Sequence, residues 1–352
     1  MQRMTMQDRI LAVVQGHELD QVPFVIYDGM LPMDEVDRIL GPDRIGVMRW
    51  SEVHKVITPH CNFETQEYRV GKDKWQRITL HTPVGSIFEE RQFEPMFDSS
   101  SVKKHFVQEQ SDYDVLWYYF QDSQIIPDYD RYYRDQTELG ERGVPLVAVE
   151  RTPFQNLWIV WVGIENLSYH LADFPECVEK TFSLLEQRQR KIFDIVYHSP
   201  VKFIDFPDNI TAHTIGPTRF RRHCTAHYDE LAEILGEKIP VFVHMDGDLK
   251  PLWQAITESK VRGLDSFTPA PDNDTKVAEA VSMWPEMRLF VNFPSSLHLQ
   301  PYEQVFSEAG EILKVAGHTG HLQIQISENV PLDKWQTSFP AIADAVDAFG
   351  KP

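Results

Sequence analysis

The sequence predicts an α/β protein with one closed barrel of eight strand–helix units, a (β/α)8 barrel of the TIM type. Three observations support this prediction. Eight short apolar segments have the length of strands, and most are separated by amphipathic segments with helical periodicity. The chain has 352 residues, enough for one large barrel. Strands that alternate with helices pair in parallel, and eight such units close into a barrel.

The predicted strands are apolar over nearly their whole length, which is typical of parallel strands covered on both faces. They comprise residues 22–27, 46–50, 144–150, 202–206, 241–246, 263–268, 289–293 and 322–327. The predicted helices comprise residues 176–197, 217–235, 249–259, 276–283 and 302–316. The first of these helices has a typical start, because Asp173 precedes Pro175 and Glu176.

One region departs from the alternation of strands and helices. Residues 75–80 and 86–93 are strand-like, and the run His81-Thr-Pro-Val-Gly85 between them is typical of a turn. We therefore predict a β-hairpin inserted between barrel strands two and three, within residues 64–95. Since no low-complexity linker divides the chain, we expect residues 1–352 to form a single domain.

The composition excludes several classes of function. The formal net charge is −19 and the pI is about 5.1, so binding to nucleic acid or to an anionic membrane surface is not expected. Cys61, Cys177 and Cys224 are far apart, which disfavours a disulfide framework or a thiolate zinc site. The start of the chain lacks the apolar core of a signal peptide, and no apolar run approaches the roughly 20 residues of a membrane helix. We expect a cytoplasmic protein.

The best candidate for a functional site is the end of the fifth predicted strand, in the run Pro240-Val-Phe-Val-His-Met-Asp-Gly-Asp248. His244 and Asp246 are two residues apart, so their side chains point to the same face of the strand. Active sites of such barrels lie at the carboxyl ends of the strands. An imidazole beside a carboxylate suits a pair of metal ligands or an acid–base pair, and a hydrogen-bonded strand end is the structural alternative.

Polar and aromatic residues at the other strand ends are candidates for substrate contacts. These candidates are Tyr27, Asp28, Trp50, Glu150, Asp205, Asp208 and Asn292. Acidic residues outnumber Arg49 and Arg151 there, which favours a bound cation over a polyanionic substrate. Two candidates have structural alternatives, since Asp208 could cap a turn and Glu150 could pair with a basic neighbour.

Several segments together resemble the uroporphyrinogen decarboxylase superfamily. These segments are the opening run from Met4 to Gly16 with Asp20-Gln-Val-Pro-Phe24, then Gly163-Ile-Glu-Asn-Leu167, Asp208-Asn-Ile-Thr211, the His244 strand and Glu328-Asn-Val-Pro331. The resemblance covers nearly the whole chain and implies a single (β/α)8 barrel. It also implies one of two activities, either cofactor-independent decarboxylation of uroporphyrinogen or methyl transfer that uses zinc and often a corrinoid carried by a partner protein.

The loop after the first strand disfavours decarboxylation of uroporphyrinogen. The resemblance implies that a decarboxylase carries the run Arg-Gln-Ala-Gly-Arg in this loop, where the arginines hold the carboxylates of the substrate. Here the loop reads Tyr27-Asp-Gly-Met-Leu-Pro32, without arginine. An acidic barrel mouth would also repel a substrate that carries many carboxylates.

The methyltransferase branch implies zinc on a His-x-Cys pair after strand five and on a Cys after strand eight. His244 matches the histidine, while Asp246 and Glu328 stand at the positions of the two cysteines. Because carboxylates also bind zinc, we predict a metal site of His244, Asp246 and Glu328, with His244 and Asp246 as the catalytic residues. The alternation along strand eight further predicts that Gln325 points into the barrel.

The sequence thus predicts a metal-assisted methyltransferase that moves a methyl group from a small O- or N-methylated substrate to a corrinoid or another acceptor. The expected cofactors are zinc and a corrinoid on a partner protein, and a homo-oligomer is left open. One alternative is a metal-independent decarboxylase or lyase acting on another small acid, with His244 as the general acid. The other is a non-catalytic barrel that binds a small ligand.

Overall fold

The computed structural model of the protein describes residues 3–95 and 99–351. In the described residues, the strands are β1 (Phe24–Tyr27), β2 (Gly46–Ser51), β3 (His54–Ile57), β4 (Asn62–Val70), β5 (Asp73–Thr82), β6 (Gly85–Glu94), β7 (Ser99–Lys104), β8 (Gln124–Pro127), β9 (Gly143–Ala148), β10 (Ile204–Phe206), β11 (Val241–His244), β12 (Gly263–Phe267), β13 (Arg288–Asn292) and β14 (Leu322–Ile326). The α-helices are α1 (Met6–Gln15), α2 (Met33–Leu40), α3 (Asp112–Asp122), α4 (Tyr129–Leu139), α5 (Pro153–Asn156), α6 (Ile164–Asp173), α7 (Pro175–Tyr197), α8 (Ala212–Phe220), α9 (Ala226–Leu235), α10 (Trp253–Glu258), α11 (Val277–Met283), α12 (Tyr302–Ala316) and α13 (Trp335–Phe349).

Eight of these strands form a closed parallel barrel in the order β1-β14-β13-β12-β11-β10-β9-β2. The order follows the chain, so each strand pairs with the next barrel strand and β14 closes the ring against β1. The predicted TIM-type barrel is therefore confirmed. The helices alternate with the barrel strands, as parallel pairing requires.

Most barrel strands are shorter than the sequence predicts. β1 begins at Phe24, because Pro23 has no amide hydrogen to donate to a neighbouring strand. β9 ends at Ala148, and β11 ends at His244 in register with Asp265 of β12. His244 is therefore the last residue of its strand, and Asp246 lies in the loop that follows.

The chain between β2 and β9 holds more antiparallel structure than a single hairpin. The predicted hairpin strands lie within β5 and β6, which pair from Trp75–Gln92 to Thr82–Gly85. These two strands are the centre of a four-stranded sheet in the order β4-β5-β6-β7, and β3 pairs separately with β8. The insertion is thus a small sheet, whose outer strands the sequence pattern did not reveal.

The chain forms two compact units. The first comprises Met1–Val53, Tyr129–Val149 and Ser199–Pro352, and it contains all eight barrel strands. The second comprises His54–Asp128 and Glu150–His198, and it contains the antiparallel strands β3–β8 with α3 and α5–α7. Within the described residues, no helix combines the length and the apolar character that crossing a membrane requires.

An aromatic layer fills the barrel interior. Phe203, Phe242 and Phe290 are buried, and their ring centroids lie 4.8–6.3 Å apart. Each of them precedes a buried polar residue by two positions, and residues two apart on a strand share a face. The polar residues at those positions are Asp205, His244 and Asn292. The aromatic layer is therefore the floor beneath a polar layer at the carboxyl ends of the strands.

Helix α1 is defined by local signals. Its first turn has a capping box, in which the Thr5 hydroxyl accepts from the Asp8 amide at 3.1 Å and the Asp8 carboxylate accepts from the Thr5 amide at 3.3 Å. The helix ends at Gln15, and the capping residue Gly16 has a left-handed backbone with φ of 69°. This end places Gly16 and His17 at the amino-terminal face of the barrel, beside Arg288 at the start of β13.

A Gly263→Ala substitution tests the packing of the aromatic layer. A Cβ atom at position 263 would lie 2.0 Å from the Phe242 ring, so we expect the free energy of unfolding to fall by about 1–3 kcal/mol or more. Gly317→Ala is the matched control, because its Cβ atom would have no neighbour closer than 3.6 Å, and we expect a change within about 0.5 kcal/mol. Urea denaturation measures both, and equal effects would contradict the steric argument.

Candidate active site

His244 lies at the carboxyl end of β11 and is anchored by the neighbouring strand. Its Nδ1 atom is 2.8 Å from Oδ2 of Asp265, which is fully buried on β12. A carboxylate only accepts hydrogen bonds, so Nδ1 carries a hydrogen and donates it. This contact fixes the plane of the imidazole ring and leaves Nε2 as the atom that faces the loop after β11.

Asp265 is the centre of a buried hydrogen-bond network. Besides the His244 imidazole, the Tyr27 hydroxyl donates to Oδ2 of Asp265. The Gln325 amide donates to Oδ1 at 3.1 Å, so Gln325 points into the barrel, as the alternation along the last strand predicts. Three donors from three other barrel strands thus converge on one carboxylate, which offsets the cost of burying its charge.

Asp246 lies on the other side of the imidazole. Its Oδ2 atom is 3.7 Å from Nε2 of His244, which is too long for a hydrogen bond. The Asn209 amide donates to the same Oδ2 at 2.8 Å, and the Asn273 amide donates to the Asp246 backbone carbonyl at 2.7 Å. The loop after β11 is therefore held from two sides, which fixes Asp246 beside His244.

The two carboxylates change the protonation of the imidazole. Burial alone would lower the pKa of His244, but Asp246 and Asp265 together outweigh it and raise the pKa to about 10. Burial likewise opposes the charge of Asp246, yet the imidazolium and the Asn209 amide hold the pKa of Asp246 below its ordinary value. In the absence of a competing cation, His244 is therefore an imidazolium between two carboxylates.

Two backbone irregularities accompany this site. Asn209 and Ser266 have left-handed backbones, with φ of 51° and 56°. The Asn209 conformation is one that Asn tolerates, and it belongs to the residue whose amide holds Asp246. Ser266 lies where the pairing of β12 with β13 shifts register between Leu264 and Phe267, as in a β-bulge. Irregular backbone at such positions is common next to active sites.

Aromatic rings form one side of the site. The Trp50 ring centroid lies 5.4 Å from that of Tyr27 and 6.1 Å from the imidazole of His244. Tyr27 is buried, and burial together with the charges of Asp265 and Asp205 raises its pKa well above the ordinary value. Tyr27 therefore stays a neutral hydrogen-bond donor, while Trp50 is partly exposed.

Potential metal ligands surround His244 on two sides. In residues 3–95 and 99–351, one group of three potential ligands has atoms within 4.8 Å of one another, namely Asp205, His244 and Asp265. On its other side, Nε2 of His244 and Oδ2 of Asp246 have the spacing of two donor atoms on one cation, roughly 3–4 Å for metal–ligand bonds of about 2 Å. Nitrogen and carboxylate donors suit zinc and harder divalent ions.

Glu328, the third predicted ligand, follows β14 and is partly buried. Its carboxylate accepts a hydrogen bond from the Ser295 hydroxyl. Burial raises the pKa of Glu328, and the charges of Asp246 and Asp272 add to the increase, while the Ser295 bond and the His244 charge oppose it. Glu328 thus shares an electrostatic environment with Asp246 and His244, although it is not in the group of potential ligands that includes Asp205 and Asp265.

Two predicted substrate contacts are engaged in ion pairs. Asp28 accepts from Nε of Arg49 at 2.5 Å, and Arg49 also pairs with Glu138 at 2.5 Å. Glu150 lies past the end of β9, in the second unit of the chain, where Arg188 binds its carboxylate at 2.6 Å. The charge of the Arg49 guanidinium is therefore neutralised. Glu150 has a basic partner, as the structural interpretation of this residue in the sequence predicts.

Two other predicted contacts serve the barrel framework. The Asp208 carboxylate accepts from the Tyr228 hydroxyl of α9 at 2.5 Å and is fully buried. Asn292 donates to the Thr268 hydroxyl at 3.1 Å and accepts from the Ser327 amide at 3.0 Å. Asn292 thus joins the ends of the last three barrel strands. Of the predicted substrate contacts, Tyr27 and Trp50 have ring contacts with His244, and Asp205 belongs to its group of potential ligands.

Asp265 is the residue of this site that the sequence-based selection left out. One signal was available, because a carboxylate in the apolar run Gly263-Leu-Asp-Ser-Phe267 is unusual for a buried strand. The sequence does not show that Asp265 lies beside His244, because that contact depends on the register between β11 and β12. Asn273 had no comparable signal, because its role depends on the path of a loop.

A comparison with protein-family models identifies the family. The model described as "Uroporphyrinogen decarboxylase (URO-D)" matches residues 126–344, more than half of the chain. The chain belongs to the uroporphyrinogen decarboxylase family. The matched part contains β9–β14, and with them Asp205, His244 and Asp265. Membership confirms the resemblance seen in the sequence and supports an enzyme with a decarboxylase-like or methyltransferase-like function.

Among solved structures, a methyltransferase from Methanosarcina mazei is similar to this family member over 99% of both chains, with a TM-score of 0.59 and 12% identity. A member of the enolase superfamily from Listeria innocua covers 78% of this chain and 85% of its own, with a TM-score of 0.26 and 9% identity. The first similarity shows a shared fold, and the second is too distant to support an argument. A comparison with curated proteins gives no match.

The pKa of His244 predicts how stability depends on pH in protein treated with a chelator. The folded pKa of about 10 exceeds the unfolded value of about 6.5, so the stabilisation is complete below pH 6.5 and is lost as the pH rises through 10. We expect the free energy of unfolding to fall over this interval by at least about 1.4 kcal/mol more in the wild type than in His244→Gln. Urea denaturation between pH 6 and 10 measures it.

His213→Gln is the control for this measurement. His213 also lies beside a carboxylate, that of Asp248 at 2.9 Å, but its side chain is 75% exposed. We expect this variant to keep the pH dependence of the wild type. A His244→Gln variant with the same pH dependence as the wild type would contradict the proposed charge state of the site.

Proposed function

We propose that this protein is a metal-assisted methyltransferase that takes a methyl group from a small O- or N-methylated compound and passes it to a corrinoid or another acceptor. The observation that carries the proposal is the arrangement of His244, whose Nδ1 is held by Asp265 while Nε2 faces Asp246 at 3.7 Å. Membership of the uroporphyrinogen decarboxylase family supports an enzyme, and the fold shared with a methyltransferase is compatible with this activity.

His244 and Asp246 are the residues that would hold the metal in this proposal, with Glu328 as the third predicted ligand. A divalent ion bound there would polarise the heteroatom that loses the methyl group. Asp265 fixes the ring of His244, and Asn209 fixes the carboxylate of Asp246. Such outer partners orient metal ligands and increase their basicity, so they contribute to affinity without touching the ion.

The charges around the site favour a neutral or cationic substrate over a polycarboxylate. Asp205, Asp246 and Asp265 lie around His244, and Arg49 of β2 is already paired with Asp28 and Glu138. The loop after β1 has no arginine that could hold the carboxylates of a porphyrinogen, and the acidic residues here would repel them, so we do not propose uroporphyrinogen as the substrate. The ring of Trp50 could hold a methylated ammonium group by cation–π attraction.

The transfer itself needs positioning rather than proton removal from the methyl carbon. The bond between heteroatom and methyl carbon breaks, its electron pair stays on the heteroatom, and the acceptor supplies the pair of the new bond. The rings of Trp50 and Tyr27 would orient the substrate for this displacement. The Tyr27 hydroxyl donates a hydrogen bond to Asp265 and stays neutral, so Tyr27 does not act as a base.

One observation favours a second candidate function. Without a metal, the carboxylates of Asp246 and Asp265 keep His244 as a buried imidazolium, with a pKa of about 10. An imidazolium can bind a substrate carboxylate and later donate a proton to the carbanion that decarboxylation leaves. This alternative is a metal-independent decarboxylase or lyase acting on a small acid.

Metal analysis distinguishes the two candidates. We expect protein purified without chelators to retain about one equivalent of zinc or a similar ion, as measured by inductively coupled plasma mass spectrometry. His244→Ala should abolish this occupancy because it removes the nitrogen ligand. Asp265→Asn should weaken binding about 10- to 100-fold, because it removes an outer partner of that ligand.

His213→Ala is the control, since His213 pairs with Asp248 on the surface, and it should keep full occupancy. Wild-type protein with less than about a tenth of an equivalent, or a fully occupied His244→Ala variant, would contradict the metal site. In that case release of carbon dioxide from small acids, lost in His244→Ala, would support the alternative.

The role of Trp50 is tested by two substitutions. With an N-methylated ammonium substrate, we expect Trp50→Ala to lower kcat/KM about 2- to 30-fold, which corresponds to a cation–π contribution of about 0.5–2 kcal/mol. Trp50→Phe keeps a ring at this position and should lose less. Demethylation assays with a corrinoid acceptor measure both, and equal losses in the two variants would argue against a cationic substrate.

A further inference from the structure

A cavity lies at the opposite end of the barrel from His244. Its volume is about 660 Å³, within the range of about 300–1,000 Å³ that is typical of ligand pockets. The lining residues come from the end of α1, from the end of α9 and the segment that leads from it into β11, and from the residues just before or at the start of β12 and β13. Since the barrel strands are parallel, these segments meet at its amino-terminal face.

The cavity concentrates positive charge in a protein whose formal net charge is −19. Four cationic side chains line it, against the two acidic side chains of Glu233 and Glu237. The four are Lys238, Lys260, Arg262 and Arg288. Low-dielectric walls around charges of one sign strengthen their field, so the cavity is suited to attract anions.

Three of these cations form no salt bridge with a carboxylate. Lys260 pairs with Glu233, but in the described part of the chain Lys238, Arg262 and Arg288 form no salt bridge. The Arg288 guanidinium donates to the Glu286 carbonyl at 3.0 Å, while its Nε atom is buried without a hydrogen-bond partner. Burial and the charge of Arg262 lower the pKa of Arg288, while the charge of Glu286 opposes them in part. A bound anion would offset the repulsion between Arg262 and Arg288 and would accept hydrogen bonds from donors that have no partner.

Gly16 leaves the space that Arg288 occupies. A Cβ atom at position 16 would lie 2.7 Å from Nη2 of Arg288 and 3.6 Å from Nε2 of His321. The glycine also has the left-handed backbone that ends α1, with φ of 69°. The guanidinium of Arg288 therefore packs against the end of α1, and both Arg288 and His17 line the cavity.

We propose that this cavity binds a small phosphorylated organic molecule of about nucleotide size. Two guanidinium groups provide the forked donors that match phosphate oxygens, and Lys238 adds a mobile charge. The remaining wall includes Val14, Ile239 and Pro240, which suits an apolar or aromatic body attached to the phosphates. Because the cavity lies at the amino-terminal face, this ligand is distinct from the methylated substrate of the proposed function.

Calorimetric titration of the full chain tests this proposal, with ADP, pyrophosphate, adenosine and citrate as probes. We expect ADP to bind with Kd below about 1 mM at low salt, to weaken as salt rises, and to bind more tightly than adenosine, which lacks phosphate. Pyrophosphate should bind more weakly than ADP, because it does not contact the apolar wall. Absence of ADP binding, or binding of citrate alone, would overturn the proposal.

Charge reversal places the binding in the cavity. Arg262→Glu and Lys238→Glu should each weaken ADP binding at least about tenfold, since each replaces an attraction by a repulsion. Arg219→Glu is the matched control, because Arg219 is exposed on α8, does not line the cavity, and undergoes the same change in charge. Circular dichroism checks that all three variants fold. An equal loss of affinity in Arg219→Glu and Arg262→Glu would show a general charge effect and overturn the assignment.

Discussion

The buried hydrogen bond between His244 and Asp265 organises the carboxyl-terminal end of this barrel. It joins β11 to β12 at the last residue pair of their register, and Tyr27 of β1 and Gln325 of β14 donate to the same carboxylate. The buried carboxylate of Asp265 needs hydrogen-bond donors, and the donors that it binds fix side chains from four strands. The Nε2 atom of His244 is directed at Asp246 as a consequence, and the chemistry available to the site depends on that direction.

Electrostatics divides the barrel into two ends. Carboxylates surround one imidazole at the carboxyl end, where a metal ion or a cationic substrate would relieve their mutual repulsion. At the amino end, Lys238, Arg262 and Arg288 line one cavity, and the charge of Arg262 acts on Arg288. The aromatic layer of Phe203, Phe242 and Phe290 lies below the polar layer of the carboxyl end, and the buried amide of Gln323 lies at its level, in register with Phe290.

Much of the fold could be predicted, because hydrophobic periodicity is a local property. The barrel strands and helix α12 appear in the sequence as apolar and amphipathic segments, and α12 has the predicted bounds of residues 302–316. The strand ends were less predictable, because the length of a strand depends on its neighbours' register. The insertion before β9 was seen as two strands, since β4 and β7 are polar strands that the apolar pattern does not mark.

By itself, the sequence determined the barrel class, the family resemblance and the position of His244 at a strand end, because composition, periodicity and local order express these features directly. The tertiary structure decided which groups surround that histidine. Asp265 lies 21 residues from His244 and Tyr27 lies 217 residues from it, yet both contact its Nδ1 region. The basic cavity was likewise invisible in the sequence, because Lys238, Arg262 and Arg288 precede or begin different strands and meet only when the parallel barrel closes.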